Sequence, residues 1–179
     1  METLTKTKWT IDPAHTEVQF KVKHLVISTV TGSFKKFSGN IESEGDDFDG
    51  ATVNFMLDVQ SIDTNQPDRD GHLKSPDFFA ADQYPEITFK NGKLKKISGD
   101  AYKLSGSLTI RGTTKVVELN VEYGGTMKDP WNNVKAGFEI NGKINRKDFG
   151  LNWNALTEAG GMVVAKDVKI HINAELAKS

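Results

Sequence analysis

The chain has 179 residues, no cysteine and a formal net charge of −1, from 23 basic and 24 acidic side chains. This composition excludes disulfides, thiol catalysis and cysteine-ligated zinc, and the absence of any basic run longer than two residues argues against a nucleic-acid partner. The length suits one domain spanning residues 1–179.

Most of the chain alternates apolar and polar residues, which is typical of strands with one buried face. In the last such stretch, Val168, Ile170 and Ile172 share one face, and Lys169 and His171 lie on the other. Asn91-Gly92 predicts a hairpin turn. The alternation also appears in residues 16–24, 51–59, 87–89, 102–110, 117–123 and 134–144.

About eight strands joined in series by turns predict an all-β fold and favour a single antiparallel up-and-down barrel. Alternation alone leaves a two-sheet sandwich open as the alternative. A barrel of about eight strands either fills with its own side chains or encloses one small ligand.

The stretch Ser61–Pro85 interrupts the alternation and predicts a short helical lid at about residues 65–80. Asn65 and Ser75 can each cap a helical turn that begins with a proline and an aspartate. We expect the apolar residues of this segment to pack over one end of the barrel, namely Ile62, Leu73, Phe78 and Phe79.

Four polar residues near the predicted lid and strand ends have two interpretations: Arg69, Asp70, His72 and Arg146. They could pin the lid to the barrel rim, with Asp63 or Asp148 as partners of Arg69 and Asp70. They could instead form a polar mouth that binds a ligand head group. We favour the pinning role, because buried charges are usually paired.

We expect no metal site and no catalytic residues. His15 and His24 flank one strand at positions of opposite parity, so they point to opposite faces, and a zinc site needs three or four convergent ligands. No serine, histidine and aspartate have the local spacing of a triad, and the strands supply no nucleophile elbow.

Separated motifs cover nearly the whole chain: Trp9-x-Ile-Asp-x-x-His15-x-x-Val-x-Phe20-x-Val-x-His24, Val30-x-Gly-x-Phe34, Arg69-Asp-x-His-Leu-Lys-Ser75, Tyr84-Pro-x-Ile-x-Phe89, Gly106-x-Leu-Thr-Ile-Arg-Gly112 and Ile144-Asn-Arg-x-Asp-Phe-Gly150. Together they resemble the YceI family of bacterial lipid-binding, lipocalin-like proteins. The family pattern more usually has serine where this chain has Thr16, a change that keeps the hydroxyl group.

The resemblance implies a homodimeric, lipocalin-like barrel that holds a long apolar molecule such as a polyisoprenoid, an isoprenoid quinone or a fatty acid derivative. From the pattern alone, the inward aromatic residues would be core. The resemblance instead makes them and their apolar neighbours the lining of a ligand cavity: Phe20, Val22, Phe34, Phe37, Phe55, Leu57, Leu108, Phe138, Ile140 and Trp153.

We therefore expect a carrier, store or sensor that has no cofactor other than a bound lipid and is not an enzyme. The alternatives are a lipid-modifying enzyme with the same pocket and a structural barrel with a filled core. Many relatives are periplasmic, but the first ten residues lack the apolar core of a signal peptide, so we expect a cytoplasmic protein without a transmembrane segment.

Overall fold

The computed structural model describes residues 6–25, 27–154 and 164–179. These residues form eleven strands and one α-helix, α1, which spans Pro67–Lys74. The strands are β1 (Lys6–Ile11), β2 (Glu17–His24), β3 (Ser28–Phe34), β4 (Phe37–Glu44), β5 (Asp47–Asp58), β6 (Ile62–Asp63), β7 (Glu86–Ser98), β8 (Ala101–Ile110), β9 (Thr113–Lys128), β10 (Val134–Asn145) and β11 (Val164–Lys178). No helix within these ranges is long and apolar enough to cross a membrane.

The strands form one antiparallel sheet that closes on itself through β11. One edge of β11 pairs with β10. The other edge pairs with β2, where Val18 lies opposite Ile172, and then with β1, where Trp9 lies opposite Lys178. The predicted barrel is confirmed, and the sandwich alternative is wrong.

Three of the barrel strands are bent, and each is divided into two segments. A 3-10 turn at Pro13–His15 separates β1 from β2, Lys35-Lys36 separate β3 from β4, and a 3-10 turn at Val59–Ser61 separates β5 from β6. The segments nearer the Trp9 end of the barrel pair in the order β1, β4 and β5, and the segments nearer α1 pair in the order β2, β3 and β6. With β7 to β11, these three bent strands make an eight-stranded barrel, as the sequence predicts.

The predicted hairpin turn at Asn91-Gly92 is wrong, because β7 continues through both residues. Asn91 has a positive φ of 56°, and the pairing with β8 shifts between Lys90 and Lys93, so this dipeptide forms a bulge. A Cβ at position 92 would lie 2.5 Å from the Phe89 ring and 2.9 Å from the Val53 carbonyl oxygen. The glycine therefore allows β7 to bend around the interior.

Aromatic side chains fill the barrel end that lies away from α1. The Phe48 ring is 5.2 Å from the Trp9 ring, 5.3 Å from Tyr123 and 5.0 Å from Phe138, measured between centroids. Trp9 is fully buried, and its indole Nε1 donates a hydrogen bond to Ser43 Oγ at 3.1 Å. These packed rings close the base of the barrel.

The lid at the other end contains one helix followed by turns. Gln66 caps α1 by accepting a hydrogen bond from the Arg69 backbone N–H, so the cap lies one residue after the predicted Asn65. Ser75 ends α1, and its carbonyl accepts hydrogen bonds from the N–H groups of Phe78 and Ala80. The second helical turn predicted at Ser75 is therefore a set of tight turns.

The apolar residues of the lid pack inward, as predicted. Ile62 and Phe78 are buried, and Leu73 and Phe79 are partly buried against the core. From the turn between β8 and β9, Arg111 Nη1 donates a hydrogen bond to the Phe78 carbonyl at 2.9 Å. The lid is thus fixed to the barrel on the side opposite β2.

Candidate functional site

The barrel encloses a cavity of about 530 Å³ with almost entirely apolar walls. This volume lies in the range of about 300–1,000 Å³ typical of ligand pockets. Every barrel strand contributes inward side chains, because the two-residue period of a strand places alternate residues on the inner face. The interior is therefore not filled by the protein's own side chains.

Nine of the ten residues that the sequence assigns to ligand binding lie around this cavity: Phe20, Val22, Phe34, Phe55, Leu57, Leu108, Phe138, Ile140 and Trp153. Phe37 is not among the lining residues, and its ring stacks on Phe55 at a centroid distance of 6.0 Å. Phe37 thus packs on a lining residue. That these nine residues contact a ligand remains a prediction.

Sequence reasoning missed much of the wall that β11 contributes. Val168, Ile170 and Ile172 line the cavity, and Val18 lines it from the neighbouring strand β2. Their alternation was already visible in the sequence. The prediction favoured aromatic side chains, whereas aliphatic side chains supply a large share of the wall.

The cavity opens between the end of β2 and the first turn of α1. Four of its lining residues are exposed to solvent, and all four lie at this position: Lys23, Gln66, Asp68 and Arg69. The opposite end is closed by the ring cluster around Phe48. The site is therefore a blind apolar tube with a polar rim.

Arg69 and Asp70 fix the start of the lid through Thr64. Arg69 donates from Nε to Thr64 Oγ1 at 2.8 Å and from Nη2 to the Thr64 carbonyl at 2.7 Å. Asp70 Oδ1 accepts from the Thr64 backbone N–H at 2.8 Å and from its hydroxyl group. The pinning geometry is present, but the expected partners Asp63 and Asp148 are wrong.

His72 lies in the cavity wall beside the opening and points its ring at two aromatic side chains. Its ring centroid is 4.7 Å from Trp153 and 5.0 Å from Phe78, both in edge-on geometry. Its Nε2 lies 2.9 Å from Asp77 Oδ2. These contacts hold the imidazole in place and connect α1 with the segment that follows the 3-10 turn Arg146–Phe149.

Arg146 is buried to 3% exposure and lines the cavity. Its guanidinium donates four hydrogen bonds to backbone carbonyls, of Leu151 and Trp153 on one segment and of Val164 and Ala165 on the other. Burial lowers the pKa of this guanidinium. No carboxylate in the described ranges lies within 4 Å of it.

A separate polar cluster forms where β1 turns into β2, and it does not line the cavity. His15 Nδ1 lies 2.9 Å from Asp12 Oδ2 and 3.6 Å from Glu175 Oε2, and Lys135 Nζ lies 3.0 Å from the same Asp12 oxygen. Hydrogen bonds from His15 and Lys135 lower the pKa of Asp12 to about 2, and the Asp12 carboxylate raises the pKa of His15. Lys135 already places a positive charge beside the Asp12 carboxylate, so the cluster has the geometry of an ion-pair network.

Comparison with known proteins places this barrel among close relatives. The chain is 37% identical over 174 residues to a UPF0312 protein of Staphylococcus aureus strain N315, which covers 97% of this chain and 99% of that protein. It is 34% identical to the YCEI protein of Campylobacter jejuni, with a TM-score of 0.76 and coverage of 100% of this chain and 99% of that chain.

A second similar structure shares the fold at lower identity. It is a polyisoprenoid binding domain from Saccharophagus degradans, 17% identical, with a TM-score of 0.65 over 99% of this chain and all of that one. The profile of the YceI-like domain matches residues 9–176, which include both the closed base and the open rim of the tube. The chain therefore belongs to the YceI family.

Proposed function

We propose that this protein binds one long-chain apolar molecule inside the barrel and acts as its carrier, store or sensor. The observation that carries the proposal is the apolar tube that the described residues form, closed at the base and open at a polar rim. An apolar void without polar partners for water stays dry or takes up an apolar guest. A flexible chain can enter such a tube end-on and leave its polar group at the rim.

The walls supply enough free energy to hold a chain without a specific head-group contact. Burying one CH₂ group contributes about 0.8 kcal/mol, so ten carbons contribute about 8 kcal/mol before the entropic cost of association is subtracted. The tube therefore favours ligands by length and width, and tolerates different head groups.

The ligand class that we propose is a polyisoprenoid, an isoprenoid quinone or a fatty acid derivative. Each has a long apolar chain and a small polar end, which match the apolar walls and the polar rim. The Saccharophagus degradans domain of the same fold is described as polyisoprenoid binding. We extend that ligand class to this chain as part of the proposal.

The composition of the wall supports binding over catalysis. The described lining residues include no serine, threonine, tyrosine or cysteine that could serve as a nucleophile beside a base. The rim groups Arg69 and His72 are engaged with Thr64 and Asp77. A lipid-modifying activity would appear as a changed ligand mass after incubation, and we expect the ligand to be recovered unchanged.

Homodimer formation and a cytoplasmic location stay predictions from the family resemblance and from the sequence. Light scattering of the purified protein tests the first, and cell fractionation tests the second.

The proposal is tested by titrating the protein with fatty alcohols of increasing chain length while following tryptophan fluorescence, because Trp153 lines the tube. We expect affinity to rise with each added carbon until the tube is full, and then to level off. Affinity that does not depend on chain length, or no binding at any length, would overturn the proposal.

A further inference from the structure

Lysines gather on the outer surface of the barrel next to the opening. They lie on the ends of β2 and β10 and on the start of β11, and all are exposed: Lys21, Lys23, Lys143, Lys166 and Lys169. The same strand portions carry one carboxylate, Asp167, and the described part of β3 beside them carries no charge. We call this surface the lysine face. It stands out on a chain whose net charge is −1.

The lysine face has no evident structural role. Lys169 lies directly opposite Lys143 on one neighbouring strand and opposite Lys21 on the other. Like charges in directly opposed positions destabilise a sheet. Within the described ranges one ion pair relieves them, from Lys143 Nζ to Asp167 Oδ2 at 3.8 Å, on two half-exposed side chains. The described part of the chain therefore leaves most of this positive charge without a negatively charged partner.

Apolar side chains project beside the lysine face at the connection between β2 and β3. Ile27 is 86% exposed and Leu25 is 40% exposed. Their neighbours on β2, Lys23 and His24, line the opening of the tube. Exposed apolar side chains next to basic ones are characteristic of proteins that lie at a lipid surface, where the apolar groups enter the interface and the cations meet anionic head groups.

We propose that the rim of this barrel docks on an anionic membrane surface through the lysine face and the tip formed by Leu25 and Ile27. Docking in this orientation turns the opening of the tube towards the bilayer. A long apolar chain can then pass between the bilayer and the tube with little exposure to water. This role in loading rests on the proposed function, whereas docking itself requires no ligand in the tube.

On β2, β10 and β11 themselves, the portions away from the opening carry charges of both signs. The far portions of the same strands carry Glu17, Glu139 and Glu175 beside Lys135 and Lys178, and Glu139 lies 3.9 Å from His171. Positive charge and apolar exposure therefore coincide at the open end of β2, β10 and β11. At the closed end, Ile97 is 57% exposed beside Lys95 and Lys96, so docking by that end is the competing orientation, which the control variant below tests.

The test is co-sedimentation of the full chain with vesicles of phosphatidylcholine alone or mixed with phosphatidylglycerol, at low salt and at about 0.5 M salt. We expect binding to the anionic vesicles at low salt, with loss at high salt. The double variant Lys21→Glu/Lys169→Glu should bind about tenfold more weakly or worse. Ile27→Ser should weaken binding without changing its salt dependence.

The control is Lys95→Glu/Lys96→Glu, which makes the same charge change on exposed residues of β7 near the closed base. It should bind anionic vesicles like the wild type. Equal binding by both double variants, or no binding of the wild type to anionic vesicles, would overturn the proposal. Loss of a dimer in light scattering by Lys21→Glu/Lys169→Glu, with vesicle binding intact, would also overturn it by assigning the lysine face to self-contact.

Because vesicle binding is measured without added ligand, its outcome is independent of whether the tube holds a lipid. A protein that docks but binds no fatty alcohol would keep this inference and remove the proposed function.

Discussion

Arg146 joins two chain segments through backbone carbonyls, with one side chain making four hydrogen bonds. The segments are Leu151–Trp153 and the start of β11, so the guanidinium sets where the last strand enters the barrel. A planar group with five N–H donors suits this task, and lysine with three donors on a single nitrogen does not.

We predict that Arg146→Met lowers the free energy of unfolding by about 3 kcal/mol or more, because several buried carbonyls lose their donors. Arg146→Lys should recover little of the loss. Urea unfolding measures both, with the exposed neighbour Lys147→Met as the control. A loss below about 1 kcal/mol would show that the four hydrogen bonds do not hold the segment.

The cluster of Asp12 and His15 makes stability depend on pH in two directions. The pKa of Asp12 is lowered to about 2 in the folded protein. Its contribution to folding stability is therefore complete above its pKa in the unfolded chain, about 3.9, and is lost as the pH falls towards 2. The pKa of His15 is raised in the folded protein. Its contribution to folding stability is therefore complete below about pH 6.5 and is lost as the pH rises through its folded-state pKa.

We therefore predict that the stability difference between the wild type and Asp12→Asn is largest between about pH 4 and pH 6.5. It should shrink on both the acid and the alkaline side. Urea unfolding across this pH range measures it. A difference that stays constant from acid to neutral pH would contradict the assignment of these pKa shifts to the Asp12–His15 contact.

At the scale of the element, the start of the lid is held through Thr64. Thr64 is buried, and Arg69 and Asp70 bind its carbonyl, its N–H and its hydroxyl from the first turn of α1. Arg69 also lies at the rim of the tube, where it could meet a ligand head group. Stability and affinity measured on the same variant separate these two roles.

We predict that Arg69→Ala lowers the free energy of unfolding by about 1–2 kcal/mol, because two hydrogen bonds from a charged donor are lost at a partly exposed position. Lys74→Ala, on the same helix, is the control and should change stability by less than about 0.5 kcal/mol. Unchanged stability of Arg69→Ala together with weaker ligand binding would show that Arg69 serves the head group and not the lid.

The elements were largely predictable from the sequence, and their irregularities were not. Alternation identifies the long strands because period two is a property of any half-buried strand. The bulge at Asn91-Gly92 depends on what approaches the backbone, here the Phe89 ring and the Val53 carbonyl. Sequence spacing alone cannot distinguish it from a hairpin turn, since both favour asparagine and glycine, and here only Asn91 of the two has a positive φ.

The candidate site was predictable in type and less so in detail. Parity along a strand indicates which side chains point inward, but only the family resemblance assigned the ten residues to a cavity lining, and nine of them lie around the tube. It does not indicate the height of a residue within the barrel, and Phe37 was assigned to the lining although it only stacks on the lining residue Phe55. The hydrogen bond from Arg69 to Thr64 was not predicted, because the search for partners of Arg69 considered charged residues and threonine is uncharged.

In the molecule as a whole, the barrel is closed at one end and open at the other. The length of the tube therefore limits the length of apolar chain that it can hold. Leu108 lies on β8 in the wall, and a larger side chain there extends into empty space. We predict that Leu108→Trp lowers the free energy of unfolding by no more than about 1–3 kcal/mol, the usual loss when a core is overpacked. The same variant should lower the affinity for long chains about tenfold or more.

The matched control is Val116→Trp, which places the same side chain at a position that is 77% exposed. It should leave both thermal stability and chain-length preference unchanged. A fluorescence titration with the fatty alcohol series compares the two variants. Equal affinities of Leu108→Trp and Val116→Trp for long chains would show that the ligand does not pass Leu108.

Native mass spectrometry of the purified protein after incubation with cell lipid extract shows directly whether the tube holds a long apolar chain. We predict an added mass that corresponds to one long-chain lipid, which Val116→Trp retains and Leu108→Trp loses. If the wild type shows no added mass with the extract, and none with added polyprenol, isoprenoid quinone or fatty amide, the claim is contradicted.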